Sequence, residues 1–299
     1  MNTKRYFCIT VHYKKHDFKK IATMKTSISF LFLLSTIVMF SFWQCGTKNT
    51  ASSSTLLDVK QIQGHWVRND YLSLLEVTKS PLLARTGAEG VASMFFDPSN
   101  LEGDSLGVSM NFNNHEGGKL YLFLNKHIEN QNSYLLDAPL AEGGGTNPYG
   151  IQLEYGKDTT LLLIEYDAAK KPNAVFRYSC ISHSKYLAVD AVQYALNQRL
   201  FEGTYRIEDS KQTVTFSKEG KVSNWTNYTQ YAANTDFVVG GDNTVDLLSF
   251  YRKEADFSGA TDFSFTIHGD TLSLYDVEVS DKTLSYQRKA LKHMLFKLK

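Results

Sequence analysis

Ile62-Gln63-Gly64-His65-Trp66 and Phe201-Glu202-Gly203-Thr204-Tyr205 follow one pattern: an apolar residue, a spacer, a glycine, a spacer and an aromatic ring. Each stands at the head of a long run of alternating sequence. After the first, residues 91–96, 106–112, 120–124, 151–155, 161–166 and 175–181 carry apolar side chains at every second position and are rich in Val, Ile, Leu, Phe and Tyr. After the second, 204–207, 213–216, 221–225, 237–239, 245–251, 263–267, 272–277 and 294–298 do the same. Turn formers divide these runs: Asn113-Asn114-His115-Glu116-Gly117-Gly118 reads as a hairpin turn, and the glycine-rich stretch 142–148 as a loop. The pattern predicts an all-β, antiparallel meander in two related halves. One larger continuous barrel or sandwich is the alternative.

Two helices interrupt the strands. Residues 70–79 place Tyr71, Leu74, Leu75 and Thr78 at helical spacing, and Pro81 ends the pattern. Residues 186–200 carry Leu187, Val189, Val192, Ala195, Leu196 and Leu200 on one face, and so predict a helix linking the halves. A second echo, Gly103-Asp104-Ser105-Leu106 against Gly269-Asp270-Thr271-Leu272, also suggests duplication.

A strand-opening Gly-x-Trp followed by an antiparallel meander resembles the lipocalin-like (calycin) domains. That resemblance implies two tandem lipocalin-like β-barrels or sandwiches, with Trp66 closing the bottom of the first and Gly64 permitting close chain approach. Gly203-Thr204-Tyr205 departs from the pattern by its aromatic. The resemblance speaks to fold and not to ligand.

The first 45 residues differ from the rest. Seven Lys/Arg and one acid precede Cys45, and 28–43 is an uncharged run of 16 residues. A membrane-crossing helix needs about 20 apolar residues, so the run is sized for a secretory signal. Cys45 follows it, then the polar tether 46–57. With Phe42 three before the cysteine and Gln44 just before it, the junction resembles the relaxed lipoboxes of Bacteroidetes-type bacterial lipoproteins. That resemblance implies cleavage before Cys45 and lipidation of its thiol. Retention of 28–43 as an anchor helix is the other reading, and both put 46–299 outside the cytoplasm. Met24 is a second candidate start, so residues 1–23 are left out of the fold argument. The expected organisation is a signal region 1–45, a tether 46–57, a first β domain 58–185, a linking helix 186–200 and a second β domain 201–299. The tether lacks acidic residues, which by the same resemblance implies an outer-membrane, periplasm-facing position.

The chain's formal charge of +1 hides this division: from Cys45 onward 25 basic residues face 30 acidic ones, a net of −5. No basic run is left to displace counterions from nucleic acid, so no nucleic-acid partner is expected. The membrane partner is reached through the lipid. Cys180 is the single cysteine of the body and reads as a packing residue.

Gly103-Asp104-Ser105-Leu106-Gly107 formally matches G-x-S-x-G, which would make Ser105 an esterase nucleophile on a strand-to-helix elbow. A strand pattern follows it instead, no Asp-x-x-His occurs, and Gly-Asp hairpin turns explain both copies. The body's six histidines show no H-x-H or H-E-x-x-H spacing, residues 97–104 lack calcium-loop spacing, and no glycine pattern cradles phosphate. Neither metal nor cofactor is therefore expected. Trp225, Tyr228 and Tyr231 read as half-buried strand residues before they read as a sugar platform.

The remaining ligand candidates surround the first strand and its helix: Trp66, Arg68, Asp70, Tyr71 and Lys79. The helix after Arg68 could cap a barrel end; the plainer expectation is that Asp70 N-caps this helix and that Arg68 and Asp70 are an ordinary surface pair. The expected function is non-enzymatic binding of a small apolar or amphipathic ligand by a lipid-anchored envelope protein. An envelope interaction or structural protein with side-chain-filled barrels is the alternative, and a hydrolase using Ser105 a distant third.

Overall fold

The computed structural model describes residues 57–128, 133–137, 148–208, 210–225, 227–236, 244–252, 259–280 and 285–299. The signal region, Cys45, the tether as far as residue 56, most of the glycine-rich loop and the strand expected at 237–239 lie outside these residues.

Eight strands form the first half: β1 (Gly64–Arg68), β2 (Val91–Glu102), β3 (Ser105–Phe112), β4 (Glu116–His127), β5 (Tyr134–Asp137), β6 (Tyr149–Glu154), β7 (Thr160–Tyr166) and β8 (Pro172–Ser182). Each pairs antiparallel with its sequence neighbour, and β8 pairs back onto β1, with Trp66 opposite Cys180. The sheet is thereby a closed up-and-down barrel with no free edge. Its interior holds Trp66, Met94, Phe96, Val108, Leu122, Ile151, Leu163 and Tyr178, all buried.

The second half repeats the order with β9 (Gly203–Ile207), β10 (Thr213–Phe216), β11 (Val222–Ser223), β12 (Gln230–Ala233), β13 (Leu247–Tyr251), β14 (Thr261–His268), β15 (Thr271–Val279) and β16 (Tyr286–Lys297). Here too the last strand pairs with the first, Leu295 opposite Ile207. The remaining seam, between β11 and β12, is held by a single bridge, Lys221 to Gln230. Two tandem lipocalin-like barrels, not one continuous barrel, are the architecture.

The opening echo is structural. Gly64 and Gly203 begin equivalent strands at φ +132° and +145°, a region that disfavours side chains. Trp66 and Tyr205 both point inward from the next-but-one position and are buried. Each ring's polar tip turns back to the helical turn before its strand. Trp66 Nε1 donates to the Ile62 carbonyl at 2.8 Å, and Tyr205 Oη to that of Leu200 at 3.4 Å. The second echo is local turn chemistry instead. Gly103 (φ +59°) sits between the second and third strands of its barrel, and Gly269 (φ +57°) between the sixth and seventh. Both are glycine-first hairpin turns at non-equivalent places.

Helix α1 (Val59–Ile62) precedes β1. Helices α2 (Asn69–Thr78) and α3 (Pro81–Ala84) lie between β1 and β2, α2 within one residue of its expected span. The linking helix is shorter than expected. Helix α4 (Ala191–Leu196) starts only after Asp190, whose carboxylate accepts from the Gln193 N–H at 2.9 Å. This cap stops the helix before Leu187 and Val189. It ends in a single π turn, Asn197–Phe201.

One apolar cluster welds the halves. It runs from Val67 and Ala92, on the outside of the first barrel, through Tyr71, Leu72 and Leu75 of α2 and Val192 and Leu196 of α4, into the interior of the second barrel. Phe201, Phe216, Tyr231, Phe250 and Phe265 meet there edge to face. Each such ring contributes about 1.5–3 kcal/mol by burial, with more from the ring–ring geometry.

Candidate functional site

The five candidate residues do not converge on one site. Trp66 is a core residue of the first barrel. Arg68 lies over the Phe176 ring at 4.5 Å, donates to the Glu89 carbonyl and to Asp70 (3.1 Å), and so ties β1 to the turn before β2. Tyr71 is fully buried in the seam between the barrels, and its hydroxyl has no hydrogen-bond partner among the described residues. Burial raises its pKa, and the nearby Asp190 and Asp246 raise it further. Lys79 lies a helix length away from Arg68, at the opposite end of α2.

Lys79 takes a left-handed conformation, φ +54°, at the point where α2 stops. Its N–H bonds the Leu75 carbonyl at 3.0 Å, and Ser80 and Pro81 then start α3. A glycine normally fills such a position, because a Cβ there costs about 1–2 kcal/mol. Lysine at this point lines a cleft of about 180 Å³ shared with the second barrel.

Three other segments supply the rest of the cleft. The π turn brings Arg199, whose Nε meets Glu76 Oε1 at 3.1 Å, and Leu200. The end of β16 brings Lys297, whose ammonium stands 5.7 Å over the Tyr205 ring. Its stem crosses Gly203, where a Cβ would come within 2.6 Å of Lys297 Cε. The β14–β15 turn brings Asp270, whose carbonyl accepts from the Lys297 N–H at 2.8 Å. Leu200, Leu272 and Tyr205, all buried, lie beneath the cleft beside Ile267. Burial, and then the charge of Asp270, hold the Tyr205 phenol well above its usual pKa, so it stays a donor.

The cleft therefore brings three cations and one carboxylate together, in a body that is acidic overall. Among the described residues, neither Lys79 nor Lys297 forms an ion pair. Nothing in the sequence signalled Arg199, Asp270 or Lys297, which lie far apart along the chain.

Ser105 begins β3 opposite Phe123, with a strand on each side of its turn. The G-x-S-x-G match is thus a β-hairpin and not a strand-to-helix elbow. Cys180 is half-buried, packs against Gly64, and donates to the Ser182 carbonyl at 3.6 Å. Burial pushes its thiol up, which suits packing and not nucleophilic attack. His183 stands 3.7 Å from that sulfur and bonds the Gln63 carbonyl at 2.8 Å. His115 meets Asp236 of the other half at 2.9 Å. Trp225 packs edge to face against Phe216, Tyr228, Phe250 and His293. No group of three or more metal-ligating side chains is found among the described residues. No protein family, curated protein or solved structure matches the chain.

Proposed function

We propose that this chain is an exported, lipid-anchored β-barrel protein of the cell envelope, held at the outer membrane through Cys45 and facing the periplasm. On this reading it binds a small amphipathic ligand without catalysing a reaction, in the cleft at Lys79 and not inside a barrel. The observation that carries the reading is the contrast between the barrels and the cleft. Large apolar side chains of the chain itself occupy both barrel interiors, Trp66, Phe96 and Tyr178 in one and Phe216, Phe250 and Phe265 in the other. The cleft instead is lined by Lys79, Arg199, Lys297 and Asp270, charged groups from four separate segments that a bound molecule's polar end can meet.

Two measurements test it. Native mass spectrometry of the full chain, released from membranes in mild detergent, is expected to show a small-molecule increment that denaturation removes. A bare chain overturns the binding reading. Metabolic labelling with an alkyne fatty acid reads the anchor: wild type is expected to label and Cys45→Ala to stay dark. Equal labelling removes Cys45 as the lipid site.

A second reading, a surface for an envelope protein, draws on Val77 and Leu83. They stand 83% and 66% exposed on α2 and α3. A pull-down that loses its partner with Val77→Glu while the cleft ligand is retained would favour it.

A further inference from the structure

We propose that the end of the first barrel at which the chain enters rests on the bilayer, with Tyr155, Tyr186 and Leu101 seated at headgroup level. This goes beyond ligand binding and rests on the lipid anchor at Cys45 read above.

The path of the chain sets the geometry. Residues 46–56 separate Cys45 from Leu57, the first described residue. A flexible linker of that length has an r.m.s. span of about 17–20 Å. The barrel is taller: β2, with 12 residues in a tilted wall, rises about 30 Å along the axis. The entry end is therefore the end held nearest the bilayer. The opposite end is taken by the second half, where Asn114 Nδ2 donates to the Thr235 carbonyl at 2.8 Å and His115 meets Asp236.

Hydrogen bonds bring two exposed rings to the entry. Tyr155, 66% exposed just past β6, donates from Oη to Gln61 Oε1 of α1 at 2.7 Å. Tyr186, 77% exposed, follows three residues after His183, which bonds the carbonyl of Gln63 at the exit of α1 at 2.8 Å. Lys185 fastens this segment to the lower part of β2. Its Nζ stands 3.1 Å from Asp97 Oδ2 and from Ser99 Oγ, and 5.6 Å from the Tyr186 ring. Leu101, 41% exposed, lies where β2 turns into β3. In an up-and-down barrel that turn, the β6–β7 turn and the start of β1 share one end.

Ring type and charge name the partner. Tyrosine, apolar in body and polar at its tip, settles at the boundary between water and lipid. The two turns carry Glu102, Asp104, Glu154 and Asp158 against Lys157, so attraction to anionic headgroups is not what holds this face down. Two rings and a leucine hold a free protein weakly. A lipid anchor one short linker away makes the same contact intramolecular, which raises its occupancy without any new interaction.

The test places the full lipid-anchored chain in phosphatidylcholine vesicles with brominated acyl chains, which quench a nearby indole. Tyr155→Trp and Tyr186→Trp put a reporter at the face. Val77→Trp puts one on α2, which starts from the opposite end of β1 and stops against the second barrel. Emission is read as the difference from wild type. In brominated against plain vesicles the added emission of Tyr155→Trp and Tyr186→Trp is expected to fall by about twofold or more, and that of Val77→Trp to hold. Phosphatidylglycerol in place of part of the phosphatidylcholine is expected to leave the quenching no deeper. Vesicle flotation separates this proposal from the anchor reading. A chain that floats, with no quenching at the two tyrosine positions or equal quenching at Val77, keeps its anchor and overturns the membrane face, leaving those rings to a protein partner. Quenching that deepens with phosphatidylglycerol overturns the aromatic account of the contact. A chain that does not float overturns anchor and face together.

Discussion

Asp246, just ahead of β13 in the second barrel, accepts a hydrogen bond at 2.8 Å from the backbone N–H of Leu82 in α3 of the first half. With Ser80 Oγ accepting from Leu83 at 3.1 Å, a four-residue helix has its first free N–H groups held from both halves. Burial raises the Asp246 pKa from its usual 3.8, against the opposing pull of Ser80, Leu82 and the Arg288 charge, and its charge in turn raises the Tyr71 phenol. A carboxyl that holds its proton more firmly when folded contributes most below the unfolded value, and that contribution is lost as pH rises through the native one. Asp246→Asn is therefore expected to flatten the fall of the melting temperature as pH rises above 3.8 and to cost little at pH 7. Asp246→Ala leaves the Leu82 N–H without its partner and is expected to cost about 1–2 kcal/mol at every pH. Thermal melts of the two variants separate charge from hydrogen bond. Equal curves for Asn and Ala would remove the cap from the argument.

Gly64→Ala and Gly203→Ala separate two reasons for the same residue. Both need a positive φ, but a Cβ on Gly64 would meet the Ser182 carbonyl oxygen at 2.5 Å, whereas one on Gly203 would meet the flexible end of Lys297. Backbone cannot move aside and a lysine stem can. Gly64→Ala is expected to cost more than about 3 kcal/mol and Gly203→Ala about 1–2 kcal/mol, read from urea midpoints. Gly203→Ala should also displace the Lys297 stem, which Gly64→Ala should not.

These glycines also show what could be read in advance. The Gly-x-aromatic openings were legible because sterics and burial act at fixed offsets within one short segment. The α2 helix was legible for the same reason, its buried Tyr71 and Leu75 standing four residues apart. β5 and β12 were not legible. The first is four residues long between polar stretches, and the second offers Ala232 and Ala233 where a strand usually shows branched side chains. For the linking helix, apolar spacing continued back through Val189 and Leu187, while the capping bond of Asp190 decided where helix begins. The cleft was beyond reading, because barrel closure of β16 onto β9 is what brings Lys297 to Tyr205 and Lys79.

Trp66→Phe keeps a ring in the first barrel and removes the 2.8 Å bond to Ile62. The Ile62 residue is buried, so its carbonyl loses a partner that water cannot readily replace, and the smaller ring leaves a void. The expected cost is about 2–3 kcal/mol in urea denaturation with an unchanged slope. The matching bond of Tyr205 is longer, 3.4 Å, so Tyr205→Phe is expected to cost under about 1 kcal/mol. The reverse ranking would mean that the aromatic tip does not fasten the helical turn to its barrel.

His293 stands in β16 with its ring 5.4 Å from that of Trp225 and 6.0 Å from that of Phe263. Burial lowers its pKa below 6.5, Lys292 lowers it further, and Asp276 opposes both. An imidazole that resists its proton when folded contributes stability above the unfolded value, and that stability is lost as pH falls through the native one. His65, lowered by burial as well, stacks on Phe95 at 4.1 Å and adds a loss of the same sign. Global stability alone cannot assign the effect, but Trp225 can, because an imidazolium beside an indole quenches its emission. Wild type is expected to lose Trp emission as pH falls below 6.5, and His293→Phe to lose that step while keeping the stability loss owed to His65. If the step survives in His293→Phe, the titrating group at the Trp225 cluster is not this imidazole, and the acid sensitivity of the second barrel must come from its carboxylates.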